Sequence, residues 1–234
     1  MSKRSPTFRA RVQGELACFT RPEFKVERVS YEVMTPAAAR GILEAIMWKP
    51  AIRWVIEKIQ VLAPIRFISF RRNEVTSGAS VDNILQAMKG RQMAHFYAGA
   101  GSDKCAQRNT VALRDVDYVI EAHFVSTTRW GPEDNMMKFI DMFSRRLEKG
   151  QIFHQPYLGC REFAAKVEPS PGVIPSRLPE EQRNKYLGWM LHDLDFNPPI
   201  RPSFFDARLC DGIISVPAFE QASLGDDSSE GGPL

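Results

Sequence analysis

Two stretches of strict period-two alternation, far apart in the chain, constrain the fold most. Between residues 116 and 124, Val116, Tyr118, Ile120, Ala122 and Phe124 occupy every second position. Between residues 7 and 13, Phe8, Ala10 and Val12 alternate with Arg9, Arg11 and Gln13. That period puts alternate side chains on opposite faces of a strand, so each segment needs a layer to cover its apolar face. Helical patterns supply the layer. Thr35 followed by Pro36 reads as an N-cap with proline in the first turn, Ala38, Ile42 and Ile46 follow at intervals of four, and Pro50 closes the run. A second helix sets Met136, Ile140, Phe143 and Leu147 on one face. Glu133 and Asp134 stand at its start, Arg145, Arg146 and Lys149 near its end, and Gly150 after it. This is the order that the helix dipole and C-terminal capping favour.

Residues 52–62, containing Trp54, Val55, Ile56, Ile59 and Val61, form another expected strand. Pro64 punctuates it before an extended segment at 65–72. A short helix is expected at 81–88 and a loop at 99–109. Gly99-Ala100-Gly101-Ser102-Asp103-Lys104 lacks the third glycine and the Gly-Lys-Ser/Thr ending of a nucleotide-binding loop, and is read as a mobile loop. Residues 151–166 read as a strand interrupted near Gly159, 169–179 as a proline-rich linker, and 186–196 and 208–217 as strands. Asp211-Gly212 marks a hairpin turn in the last of these. Without an insertion at about 64–110, the order is β-α-β-β-α-β. This predicts an α+β, ferredoxin-like unit over residues 1–168, a β-rich extension over 169–222 and a disordered acidic tail over 223–234.

Composition excludes several classes. With 234 residues, 44% hydrophobic and 25% charged, 15 Gly and 16 Pro, the chain is neither collagen-like nor low-complexity. It contains no apolar run long enough for a membrane span and no apolar stretch after the N-terminal Met1-Ser2-Lys3-Arg4, so a reducing cytoplasm is the expected location. Cys18, Cys105, Cys160 and Cys210 are widely spaced, and His95, His123, His154 and His192 equally so. No metal site and no cofactor are expected, and the cysteines read as small buried hydrophobes. Charge is uneven: residues 1–75 hold 14 Lys/Arg against 7 Asp/Glu, the remainder 17 against 21. A basic first third is compatible with a phosphate-rich partner, including DNA held without sequence preference.

Particular residues carry a resemblance. Val29-Ser30-Tyr31, Thr35-Pro36, Gly41-Ile42-Leu43-Glu44-Ala45-Ile46-Met47-Trp48-Lys49-Pro50, Phe70-Arg71-Arg72-Asn73-Glu74-Val75, Tyr118-Val119-Ile120-Glu121-Ala122-His123-Phe124, Tyr157-Leu158-Gly159-Cys160-Arg161-Glu162-Phe163 and Leu187-Gly188-Trp189-Met190 resemble one family. It is the CRISPR-associated Cas protein family five, subtype I-C (Dvulg) branch, of the RNA-recognition-like (RAMP) superfamily. The likeness spans residues 8–219. It implies a ferredoxin-like RNA-binding fold, binding of CRISPR repeat RNA, and a place among the subunits of the type I-C interference complex. It also implies a metal-independent endoribonuclease that matures precursor CRISPR RNA: the ribose 2′-hydroxyl attacks the adjacent phosphate and the 5′ handle is kept. The alternative is a non-catalytic subunit that holds the handle.

The family's catalytic positions fall on Met47, Lys138 and Phe139, where relatives place a tyrosine or histidine and a Lys-His pair. The two helices of such a unit run antiparallel, which would set Met47 beside Lys138 and Phe139. Arg40, Lys49, Arg71 and Arg72 are candidate phosphate contacts, Arg71 and Arg72 pointing to opposite faces. His123, His154 and Tyr31 are candidate substitute bases, His123 reading first as a buried, hydrogen-bonded side chain. Trp48, Trp54 and Trp130 read as packing residues.

Overall fold

The structure is a computed structural model describing residues 3–224 apart from 25, 77, 79, 91–98, 100, 103 and 196–199. The acidic tail from 225 on, and Ala100 and Asp103 of the glycine-containing loop, lie outside the described residues. In chain order the elements are β1 (Phe8–Ala17), β2 (Arg28–Val29), α1 (Pro36–Ile46), β3 (Ile52–Val61), β4 (Phe67–Val75), α2 (Val81–Met88), β5 (Cys105–Ser126), α3 (Met136–Glu148), β6 (Lys166–Pro169), α4 (Glu180–Arg183), β7 (Lys185–Asp195), β8 (Arg201–Leu209), β9 (Ile213–Ser215) and β10 (Ser223–Leu224). The main sheet runs β6-β1-β5-β3-β9. Its neighbours are antiparallel, with Ala10 opposite Ile120 and Trp54 opposite Phe124. The first four strands of that order are those of a ferredoxin-like βαββαβ unit, as expected.

Both helices lie where their caps place them. Thr35 Oγ1 accepts a hydrogen bond from the Ala38 amide and Pro36 opens α1. Asn135 Oδ1 caps α3 through the Met137 amide. Glu133 and Asp134 precede that helix rather than filling its first turn; Asp134 instead accepts from the Gly131 amide. Phe139, Phe143 and Leu147 face inward from α3. Phe143 packs against Phe8 and Trp54 at centroid distances of 4.8 and 4.6 Å, and Trp54 meets Phe124 at 5.1 Å. Such pairs add about 0.5–1.5 kcal/mol each beyond the area they bury.

The insertion is a hairpin. β5 is 22 residues long, about 70 Å at the usual rise. Its upper half pairs with β1 and β3, and its first half pairs with β4 from Phe67–Leu113 to Val75–Cys105. Asp115, at φ 53°, lies where the two halves join. The loop expected over 99–109 therefore gives way to strand from Cys105, because β4 supplies a ladder partner that the polar sequence does not announce.

Three other expectations change. Most of 151–166 is loop, and only Lys166–Pro169 forms β6. This segment folds on itself through a Tyr157–Ala164 bridge, and Gly159, at φ 84°, passes so close to the Cys18 carbonyl that a Cβ would collide with it. The strand expected at 208–217 is two strands in two sheets. Asp211 and Gly212, at φ 47° and 76°, make the primed turn that carries the chain from the β7-β8-β10 sheet to the edge of β3. β8 begins at Arg201, earlier than the pattern suggests, since Pro202 hides its start.

The sheet face away from the helices is covered. Residues 170–178 cross it as a strap: the Gly172 carbonyl accepts from Arg9, the Ile174 carbonyl from Gln60, Ser176 Oγ donates to the Val61 carbonyl, and Arg177 reaches Asp117 at 3.0 Å. Asp117, nearly buried, also takes a bidentate pair from Arg11.

Candidate functional site

The end of α1 is held by several other elements. Met47 turns extended at φ −149°, which leaves the last helical carbonyls without amide partners. Other elements fill them. The Ala45 carbonyl accepts from the Phe153 and His154 amides at 2.8 and 3.2 Å, and the Ile46 carbonyl from Arg146 at 2.7 Å. The Met47 carbonyl accepts from Trp54 Nε1 at 3.1 Å. These bonds fasten the loop after Gly150, whose φ of 62° ends α3, onto the end of α1. Four side chains gather there at the surface: Trp48, 56% exposed, the half-buried Lys49, Phe153, 77% exposed, and the exposed His154.

This geometry revises the expected meeting of helix ends. α1 ends against the last turn of α3, at Arg146, whereas Lys138 and Phe139 lie in the first turn of α3, about 10 Å away along its axis. Lys138 is exposed. Met47 is 0% and Phe139 3% exposed, Phe139 packing edge-on against Trp130 at 5.7 Å. Two of the three family positions are thus core.

The candidate cations divide the same way. Arg40 forms a bidentate pair with Asp193 at 2.8 Å and binds Glu44 of its own helix, so it ties α1 to β7 rather than facing outward. Arg72 is held by Glu74 and Glu162, stitching the hairpin to the 157–163 loop. Arg71, on the opposite face of β4 and paired in register with Asn109, is exposed.

Of the candidate bases, His123 is buried, its Nδ1 2.5 Å from Glu57 Oε1. Burial, aided by the charge of Arg4, keeps its pKa below the ordinary histidine value. The Tyr31 hydroxyl accepts from the Leu191 amide, and burial raises its pKa. His154 alone of the three is exposed.

Sequence reading missed the surface role of Trp48, which is not a packing residue, and of Phe153. It also treated Cys18 and Cys160 as isolated. Both are buried, but Cys160 lies near the Cys18 carbonyl and within 3.7 Å of Arg28. Its thiol is drawn below the ordinary cysteine value by its contact with Cys18 and by the charges of Arg28 and Arg72, against burial and the charge of Glu162. Cys210 is exposed. Among the described residues no three His, Cys, Asp or Glu side chains converge as a metal site, and no helix is long and apolar enough to cross a membrane.

The fold and its surface define a class: a ferredoxin-like α+β protein with a long hairpin and a second sheet built onto the edge of the first. Within that class the chain belongs to the Cas5d family, since residues 7–217 match the profile described as CRISPR-associated protein (Cas_Cas5). It is 51% identical over 214 residues to the CRISPR pre-crRNA endoribonuclease Cas5d of Mannheimia succiniciproducens, covering 90% of this chain and 95% of that one. It is 40% identical over 237 residues to the protein of the same name from Thermus thermophilus, covering 92% and 93%. The fold matches the crystal structure of a functionally uncharacterized protein from Streptococcus mutans at TM-score 0.67 and 22% identity, over 96% of this chain and 99% of that one. A CRISPR-associated protein aligns equally well, at TM-score 0.67 and 22% identity over 97% and 100%.

Proposed function

We propose that the protein binds CRISPR repeat RNA, cuts precursor CRISPR RNA without a metal, and keeps the 5′ handle within the type I-C interference complex in the cytoplasm. The curated relatives named as pre-crRNA endoribonucleases support the activity. The observation that carries the site is the fastening of His154, exposed, to the carbonyl end of α1 beside Trp48 and Lys49. The reaction needs a base for the 2′-proton, an acid for the leaving 5′-oxygen and a cation for charge developing at phosphorus. His154 is the proton-transferring group, Lys49 binds the phosphate, and Trp48 and Phe153 offer apolar rings to neighbouring bases. Lys138 and Arg71 extend the track of phosphate contacts.

Purified protein incubated with its own repeat RNA and EDTA tests this. Cleavage at one position, leaving a 2′,3′-cyclic phosphate and a 5′-hydroxyl, is expected; dependence on magnesium would overturn the mechanism. Tight repeat binding without cleavage would support the second reading, a handle-holding subunit, which the burial of Met47 and Phe139 favours.

A further inference from the structure

A cavity of about 200 Å³ lies between α1, the upper end of β3 and the segment after β9. It is distinct from the His154 surface. Trp54, His192 and Phe219 are among its lining residues, and Arg40, Arg53 and Asp193 are its charged ones. β9 pairs with β3 only from Lys58 to Gln60, so among the described residues the strand edge around Val55 borders the cavity without a strand partner.

One wall holds an unmet hydrogen-bonding group. His192 is 8% exposed, and its Nε2 lies 2.8 Å from the Pro217 carbonyl, which can only accept. In the neutral ring Nε2 therefore carries the proton and Nδ1 presents a lone pair. Nδ1 is buried and has no partner among the described residues. Buried polar atoms in native proteins are paired, by protein or by something bound. The ring is held in place edge-on between Phe205 and Phe219, each at 5.7 Å.

What fits is small, flat and able to donate. The volume is below the roughly 300–1,000 Å³ that holds a drug-sized ligand. Asp193 and Arg40 neutralise each other through their bidentate pair, the aromatic lining suits a flat uncharged ring, and an N–H donor satisfies Nδ1. Arg53, exposed on β3, puts positive charge beside the cavity. We propose that this cavity receives one unstacked, amino-bearing nucleobase of the bound RNA, its amino group donating to His192 Nδ1 while the adjoining phosphate stays outside on Arg53. Single-stranded RNA is commonly read in this way, by splayed bases stacked on aromatic rings and bonded along their edges. The inference rests on the RNA-binding reading above and adds a second site to it.

A set of repeat RNAs, each carrying a single abasic nucleotide at a different unpaired position, tests it by equilibrium binding. One position should weaken binding to the wild-type protein by about 5- to 150-fold, the range for losing one stacked base. Purine riboside there, which lacks the amino group, should reproduce part of the loss. The penalty should shrink by that share in His192→Phe, which keeps a ring but removes both nitrogens, and vanish in Ala218→Trp, which fills the cavity from an exposed position and decides the matter if the first variant unfolds. A flat abasic scan with tight wild-type binding would overturn the base pocket and leave RNA binding intact, pointing to a protein side chain as occupant. A penalty unchanged in both variants would place the base elsewhere. Failure of the wild-type protein to bind any repeat RNA would remove both readings.

Discussion

His154 shows how little a residue's type reveals until its surroundings are known. Sequence leaves three candidate bases undecided; burial and hydrogen bonding separate them, because the Tyr31 hydroxyl and His123 Nδ1 are already engaged inside the protein. His154→Ala should slow cleavage by about a hundred- to ten-thousandfold, the usual contribution of proton transfer, while repeat affinity changes far less. Equal losses in both, measured by single-turnover cleavage beside equilibrium binding, would demote His154 to a contact residue. The substituted family positions behave differently. Met47→His or Phe139→His buries a polar ring in a closed core and should destabilise by about 1–3 kcal/mol, read as a lower melting temperature, without raising cleavage. A gain in rate at unchanged stability would show that these positions open to the RNA. Sequence marked Met47, Lys138 and Phe139 as related but had no means of showing that two of them are core. An apolar side chain next to a basic one reads the same at a surface or beneath it.

At the scale of elements, the β3–β5 pair carries a titratable contact whose sign can be worked out. His123 of β5 and Glu57 of β3 share a hydrogen bond, with Arg4 and Thr7 also on Glu57. Burial works against the Glu57 carboxylate, but the bonds from His123 and Thr7 and the charges of His123 and Arg4 outweigh it and hold its pKa low. The His123 pKa is low because burial disfavours its cation. As pH falls through about 6.5, the unfolded chain takes up a proton at His123 that the folded chain resists, so stability drops. The Glu57 contribution is present above the ordinary carboxylate range and disappears only at lower pH. Melting temperature should therefore fall between pH 7.5 and 5.5, and His123→Gln should flatten that slope; an unchanged slope would assign it to other groups. Strands and helices with clean periodicity, such as 116–124 and the Thr35-Pro36 start, were legible because local pattern and burial agree. β6 and the start of β8 were not. β6 pairs with the distant β1, whereas β8 pairs with β7 just before it and is hidden by its own start, and Gly159 and Pro202 break the pattern for reasons of local packing.

Across the whole molecule, the choice of face decides how RNA can lie. In a ferredoxin-like sheet the side away from the helices is the open platform, yet here residues 170–178 cross it and its charges are paired: Arg9 with Glu121, and Arg11 and Arg177 with Asp117. The proline-rich segment read as a linker is this cover, a role that composition could not reveal because its bonds run to strands more than 50 residues away. In the proposed site RNA follows the helix side and the hairpin, where Lys49, Lys138, Arg71 and His154 stand. Each phosphate neutralised there contributes about −0.7 to the slope of log affinity against log salt for a single strand. Lys49→Ala and Arg71→Ala should each weaken repeat binding and make that slope shallower by about 0.7. Arg11→Ala should leave affinity and slope unchanged and lower the melting temperature, because it strips one of two cations from nearly buried Asp117. If Arg11→Ala reduced the salt slope while Lys49→Ala did not, RNA would have to lie on the strapped face, and the strap would have to lift to admit it.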